Sequence, residues 1–208
     1  AITVADSVTG GVWSSSNPGI APITGGGVIT GVAAGTSTIS YSTGASCATS
    51  LTVTVNPLPL VFVTVGGGGY CAGGSGAHVW LNGSEPGVSY QLYNGTTPVD
   101  TALAGTGLIL DFGLQPGAGT YTVVATNDAT SCGASMTGSA DVSVLPEPAP
   151  FAITGGGAYC AGGSGLHIGL AGSESGVNYQ LHFGALLLGS PVAGSGGALD
   201  VGLHAAPV

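Results

Sequence analysis

The stretch "GGGGYCAGGSG" at 66–76 returns almost unchanged as "GGGAYCAGGSG" at 155–165, and this repetition decides how the chain is organised. The same offset of 89 residues carries "GSEPGVSYQL" (83–92) onto "GSESGVNYQL" (172–181) without a gap. A fixed offset is the mark of a repeat architecture. The second copy has no counterpart of residues 120–144, so we expect it to lack the last strands of the repeat.

Alternation of apolar and polar residues outside the glycine stretches predicts β-strands. "TSTISYST", "SLTVTVN", "TYTVVATN" and "ADVSVL" place β-branched or aromatic residues at every second position, the period of a strand with one buried face. Turn residues separate them, as in "TGAS" and "QPGAG", and no long helical period is present. Short strands with one cysteine near each end of a unit of about 85 residues are typical of an immunoglobulin-like β-sandwich. The predicted fold is therefore all-β, with tandem sandwiches that are incomplete at both chain ends.

Two proline-rich segments divide the chain. "VNPLPL" (55–60) and "LPEPAP" (145–150) each follow a terminal strand and precede the next domain. Proline stiffens such a join and blocks edge pairing. We predict domains at 1–57, 58–147 and 148–208.

Charge and cysteine content restrict the partners and the compartment. Lys and Arg are absent, Asp and Glu number nine, and the formal charge is −9. Binding to phosphates depends on Lys and Arg, so nucleic acid is excluded as a partner and anionic membrane surfaces repel the chain. No apolar run is long enough to cross a bilayer, so no membrane insertion is expected. Four cysteines without a CxxC pair favour disulfides and an oxidising compartment.

Catalytic, metal and cofactor motifs are not recognisable in the sequence. The glycine stretches have no Lys and no βαβ context, which argues against phosphate binding; we expect them to allow a sharply turned first strand and close packing between neighbouring subunits. The histidines, the repeat-equivalent pairs Asp111/Asp200 and Glu85/Glu174, and the serines form no site pattern and are interpreted as surface groups. We therefore predict a protein that is not an enzyme and has no cofactor. The histidines are His78, His167, His182 and His204.

Two groups of residues resemble known families. "GVWSSSNPGIAPITGGGVITGVAAGTSTISY" (11–41) resembles a bacterial Ig-like group 2 domain, and the copies with "YCAGGSG" resemble tandem repeats of large secreted adhesin-like proteins of Bacteroidetes. The resemblance implies an extracellular or cell-surface repeat protein without catalysis. In the group 2 pattern a strand with a cysteine precedes "AITVADSVTGGVW", so we expect the first domain to lack that strand.

The same comparison implies cysteine pairings. Only the middle domain carries both an early and a late cysteine, so Cys71 and Cys132 are predicted to form an intradomain disulfide that contributes about 4 kcal/mol. Cys47 and Cys160 are explained in two ways. Their partners lie outside this window of a longer array, or the first domain of one chain supplies strands to the last domain of the next, with an intermolecular Cys47–Cys160 bond.

Glycosylation is the remaining candidate modification. Asn82 ("NGS") and Asn94 ("NGT") match the N-glycosylation sequon, although NG is also a common hairpin turn. The resemblance adds the Bacteroidetes O-glycosylation motif, which occurs at "DSV" (6–8) and "DTA" (100–102) and marks Ser7 and Thr101 as acceptors.

The function predicted from the sequence is structural. We expect a protomer or repeating segment of an extracellular filament, whose partner is itself, head to tail, with covalent glycans as an addition. The alternative is an adhesin module that binds a glycan or protein through loops such as "LYNGTTPVDTAL" (92–103). An accessory domain of a carbohydrate-active enzyme is a weaker third option, because no catalytic neighbour is present in the sequence.

Overall fold

The computed structural model describes residues 1–44 and 47–205, and every regular element in that part of the chain is a β-strand. The all-β prediction is confirmed. None of the described residues forms a helix of the length and apolarity that would cross a membrane. In chain order the strands are β1 Ile2–Thr3, β2 Val12–Ser15, β3 Val28–Ile29, β4 Gly35–Gly44, β5 Cys47–Val55, β6 Thr64–Gly66, β7 Gly68–Cys71, β8 Ala77–Leu81, β9 Val88–Asn94, β10 Thr97–Ala104, β11 Leu110–Gln115, β12 Gly119–Asn127, β13 Gly133–Ser135, β14 Ala140–Leu145, β15 Ile153–Gly155, β16 Leu166–Leu170, β17 Asn178–Phe183, β18 Leu186–Ala193 and β19 Leu199–His204.

The chain divides into two compact units, residues 1–145 and the residues from 146 onward. This boundary lies inside the predicted linker 145–150. The first unit has two separate hydrophobic cores, one within residues 1–57 and one within 58–145. The boundary at 57/58 remains a prediction. Below, residues 58–145 are called the complete copy of the repeat and residues 146–205 the open copy.

The first domain forms a three-stranded sheet in the order β2-β4-β5 and a two-stranded pair β1-β3. Its core consists of Ala21, Ile29 and Ile39. The rings of Trp13 and Tyr41 lie 4.6 Å apart between centroids, on directly opposite residues of β2 and β4.

The complete copy is a two-layer sandwich. One layer follows the order β10-β9-β12-β14-β7, with β13 also on β12, and the other follows β11-β8-β6. Alternate residues of the strands point between the layers, as the two-residue period requires, and they form one buried core. This core contains Val79, Leu81, Val88, Tyr90, Leu92, Leu110, Tyr121, Val123, Ala125, Met136, Ala140 and Val142.

The glycines of the opening stretch let the first strand change layers. Gly66, Gly67 and Gly68 all have positive φ (107°, 78° and 123°), a conformation that residues with a Cβ avoid. Before this turn β6 pairs antiparallel with β8, and after it β7 pairs parallel with β14. A Cβ on Gly66 or Gly67 would collide with the backbone of His78 or Asp141. The predicted sharp turn is confirmed, and Gly66 and Gly67 pack closely against strands of the same copy; close packing between neighbouring subunits stays a prediction.

The open copy contains a sheet β15-β16-β19 and a hairpin β17-β18. At the offset of 89 residues, the strands β15, β16, β19, β17 and β18 correspond in that order to β6, β8, β11, β9 and β10 of the complete copy. The same local sequences therefore form the same strands. Strands equivalent to β12, β13 and β14 do not occur among residues 146–205.

Candidate assembly site

The outer edge of β17 is the main difference between the two copies. In the complete copy β9 lies between β10 and β12, whereas β17 pairs only with β18 in the described part of the chain. Pro98 lacks an N–H and lies opposite Tyr93, so the Tyr93 N–H faces β12. The equivalent residue of β17 is His182. Its N–H is therefore expected at the open edge, together with those of Asn178 and Gln180.

The inward side chains of the open copy are less covered than their counterparts. Leu92 is 2% exposed and Tyr90 is fully buried, whereas Leu181 and Tyr179 are only half-buried. The same loss of cover occurs from Val79 to Ile168, from Leu81 to Leu170 and from Val88 to Val177. An apolar cavity of about 310 Å³ borders Ile168, Leu170, Tyr179 and Leu181.

The β17–β18 hairpin is also more apolar than its counterpart. Phe183, Leu186 and Leu187 are 59%, 54% and 61% exposed. They replace Asn94, Thr97 and Pro98 of the complete copy. Neighbouring exposed apolar side chains are characteristic of an association surface.

Hydrogen bonds within the open copy reproduce those of the complete copy. Ser84 Oγ donates to the Leu108 carbonyl over 2.7 Å, and Ser173 Oγ donates to the Gly197 carbonyl over 2.7 Å. The Gln180 amide donates to carbonyls of its own hairpin as Gln91 does. The open copy therefore keeps the local hydrogen bonds of the repeat, although none of its described residues forms a strand equivalent to β12, β13 or β14.

Glu85 and Glu174 hold the incoming linkers, which corrects their interpretation as solvated surface charges. The Leu60 backbone N–H donates to Glu85 Oε2 over 2.6 Å, and the Ala149 N–H donates to Glu174 Oε1 over 3.1 Å. A bond from a backbone N–H to a carboxylate is stronger than a neutral one. Each copy thus fixes the proline-rich segment that precedes it.

Two His–Asp pairs recur in both copies and were not predicted from the sequence. His78 Nδ1 lies 3.2 Å from Asp111 Oδ1, and His167 Nδ1 lies 2.7 Å from Asp200 Oδ2. Both pairs are more than half exposed, and within residues 1–44 and 47–205 no three His, Cys, Asp or Glu side chains gather into a metal site. The backbone N–H of Gly202, with the His167 ring as a smaller cause, lowers the pKa of Asp200. The sequence signal for these pairs was that the histidine and the aspartate both recur at the same offset.

The predicted Cys71–Cys132 disulfide is not formed, because the two residues lie at opposite ends of the sandwich. Cys71 pairs with Leu145, beyond the Gly119 end of β12, whereas the Cys132 carbonyl accepts from the Asn127 N–H at the other end. β12 has nine residues and is about 30 Å long. A disulfide needs Cα atoms within about 7 Å. Both thiols are unbonded.

Cys47 and Cys160 are both exposed. β5 corresponds to β14, since "VTVNP" (53–57) matches "VSVLP" (142–146). The segment of the open copy that is equivalent to β7 contains Cys160. If this segment of another chain paired with β5 as β7 pairs with β14, Cys160 would lie beside Asn56, about 30 Å from Cys47. Strand sharing of that kind and a Cys47–Cys160 bond therefore exclude each other, and the bond stays a prediction for end-to-end packing alone.

The glycosylation candidates differ in their surroundings. Ser7 and Thr101 are exposed, and Thr101 follows Asp100, whose φ of 53° is unusual for a residue other than glycine. The Asn82 side-chain oxygen accepts from the Val63 N–H, and the Asn94 side-chain nitrogen donates to the Ala118 carbonyl. All four modifications stay predictions.

Comparison with known proteins gives little. No protein-family model and no curated protein match the sequence. Two solved structures are similar at a TM-score of 0.26: the S-layer protein rSbsC (16% identity, 93% of this chain) and domains 1–6 of the surface layer protein SbsC (14% identity, 92% of this chain). This chain spans 28% of the length of each. A TM-score this low carries no argument about fold or function.

Proposed function

We propose that this chain is a structural segment of an extracellular or cell-surface filament in which β-sandwich domains follow one another head to tail. The observation that carries the proposal is the repeat itself: the two copies form the same strands at one offset, and each binds the proline-rich segment that precedes it through Glu85 or Glu174. The exposed apolar side chains of Phe183, Leu186 and Leu187 offer a surface on which another copy can pack. The principal partner is therefore the protein itself.

The linkers and the composition support a mechanical role. Each linker contains prolines and is bonded to a glutamate of the domain that follows, through Leu60 and Ala149. Such a joint transmits bending between domains instead of absorbing it. A chain without Lys or Arg also offers no site to trypsin-type proteases, which suits a protein outside the cell.

A ligand-binding adhesin module is the second candidate. A surface cavity of about 510 Å³ borders the segment 92–103 and is lined by Asn94, Asp100 and Tyr121 among others. This cavity lies beside the loop that the sequence suggested for recognition. The module would bind a glycan or protein there and would stay monomeric.

Electron microscopy of native surface material separates the two. The filament proposal expects long fibres, and the adhesin alternative expects separate particles that retain a glycan or protein in a pull-down. Disulfide mapping under non-reducing conditions adds the mode of joining. A Cys47–Cys160 peptide between two chains would establish covalent end-to-end packing. Free thiols at both positions would rule out this covalent link.

A further inference from the structure

We propose that the complete copy carries a binding site for a neutral saccharide, in the cavity of about 510 Å³ between β10 and the end of β11. The inference rests on the cavity named above for the adhesin candidate and is independent of the filament role. It adds the chemical class of the ligand and the residue that selects it, Asp100. The residues that line the cavity lie within 94–121, far from either end of the sequence.

Asp100 has a backbone conformation that the other copy gives to glycine. Its φ is 53°, and its counterpart Gly189 has a φ of 68°. The repeat therefore requires a positive φ at this position, where glycine is free of strain and a residue with a Cβ costs stability. Among the described residues none donates a hydrogen bond to the Asp100 carboxylate, so no contact within this part of the chain offsets the cost. Strain retained beside a cavity indicates a role in binding.

Two side-chain amides add acceptors to the same cavity. Gln115 is 2% exposed, and its Nε2 donates to the Phe112 carbonyl over 2.8 Å. Asn94 Nδ2 donates to the Ala118 carbonyl over 3.2 Å. Each nitrogen is thus used within the protein, and each amide oxygen is left without a donor among the described residues. The cavity therefore presents one carboxylate and two amide oxygens, all of which are acceptors.

A ligand for this set of acceptors must bring several hydrogen-bond donors. Saccharide hydroxyls do so, and an O–H group that donates to a carboxylate makes a short and strong bond. The apolar surfaces of Val99, Leu114 and Pro116 also line the cavity and suit the C–H faces of a sugar ring. A phosphorylated or carboxylated ligand is repelled, because the chain has no Lys or Arg and a formal charge of −9. The volume lies in the range of small-molecule sites, about 300–1,000 Å³.

Hydrogen bonds fix both walls of the cavity before a ligand arrives. Gln91 Nε2 donates to the carbonyls of Val99 and Asp100, over 2.9 Å and 3.3 Å. On the opposite wall the Tyr121 hydroxyl donates to the Gly117 carbonyl over 2.7 Å. A site whose backbone is already held loses less conformational entropy on binding, so a small ligand can be retained.

The polar residues of the cavity differ between the two copies, although residues that hold the frame of the repeat are identical. The identical frame residues are Ser84/Ser173, Tyr90/Tyr179 and Gln91/Gln180. The replaced cavity residues are Asn94/Phe183, Thr97/Leu186, Asp100/Gly189 and Gln115/His204. The saccharide site therefore belongs to the complete copy alone, and the open copy serves as an internal negative control.

The test is an NMR titration of the isotope-labelled full chain with four neutral disaccharides: maltose, cellobiose, lactose and mannobiose. With at least one of these sugars we expect saturable shifts of the side-chain amides of Asn94 and Gln115 and of the backbone amide of Asp100. The backbone amide of Gly189 in the open copy should not shift.

Variants at two carboxylates separate binding from folding and from net charge. Asp100→Gly removes the carboxylate and relieves the backbone strain, so the complete copy should become more stable while saccharide affinity falls at least about tenfold. Asp128→Asn is the matched control, because it also removes one negative charge from the complete copy. Asp128 follows the end of β12 that is far from the cavity, so saccharide affinity should stay within about twofold of the parent.

Failure of this inference is distinguishable from failure of the filament role. Unshifted Asn94 and Gln115 amides with all the sugars, unchanged affinity in Asp100→Gly, or equal weakening by Asp128→Asn overturns the site. The same amides are titrated with lysine and with Ca²⁺ alone, and binding of either in place of the sugars would identify a cation site and refute the inference. Fibres in native material without saccharide binding leave the filament role standing and refute the site. Saccharide binding without fibres leaves the site standing and refutes the filament role.

Discussion

Replacing Leu92 and its counterpart Leu181 by alanine, one at a time, compares the energetic value of burial at matched positions of the two copies. Leu92 is 2% exposed in a closed cluster, so its truncation leaves a cavity and should cost about 3 kcal/mol. Leu181 is half-buried beside an open face, where most of the cavity term is absent, and should cost about 1 kcal/mol. The sequence contexts of the two leucines are nearly the same, so the difference in cost reports the difference in burial.

Hydrogen exchange of the slowest amides in each copy provides the assay. Leu92→Ala should accelerate exchange in β9 about 100-fold, and Leu181→Ala should accelerate exchange in β17 less than about tenfold. Leu110 and Leu199 are the matched control pair, because they are 7% and 9% exposed and their truncations should cost similar amounts. Equal losses for Leu92 and Leu181 would refute the reasoning.

Three further predictions concern the backbone, the linker and pH. Asp100→Gly should stabilise the complete copy by about 0.5 kcal/mol in urea titration, because glycine adopts a φ of 53° without strain; a loss of stability would contradict this. Glu85→Ala should remove the bond to the Leu60 N–H, costing about 1 kcal/mol, and increase exchange of that amide several-fold; unchanged exchange would show that the linker is held otherwise. The Gly202 N–H is the chief cause that lowers the pKa of Asp200 in the folded state. The ionised Asp200 carboxylate therefore stabilises the fold at pH values above its unfolded-state pKa of about 3.8, and this stabilisation is lost as the pH falls through the lower folded-state pKa. Asp200→Asn should therefore flatten the acid limb of the stability profile, and NMR titration should place the Asp200 pKa below its ordinary value.

The strands of both copies could be predicted because they depend on local pattern. Alternation in 119–127 is the direct consequence of one buried face, and a sequence repeated at one offset forms the same strands in each copy. The glycine turn was predictable as well, since three glycines in succession mark backbone that a Cβ would obstruct.

Contacts across strands could not be predicted in the same way. The His78–Asp111 pair depends on the register of β8 and β11, which shifts between Asp111 and Leu114. The partner of Glu85 is a backbone N–H, which no side-chain pattern reveals. The Cys71–Cys132 prediction was wrong because the position of a residue near the start or the end of a domain sequence does not show at which end of the folded sandwich it lies. β7 places Cys71 at the opposite end of the sandwich from Cys132.

The central claim, that this chain is a structural segment of a surface filament built from successive β-sandwich domains, is tested most directly by electron microscopy of native surface material labelled with an antibody against the chain. The proposal predicts long fibres that carry the label along their length. Label on separate particles and none on fibres would contradict it.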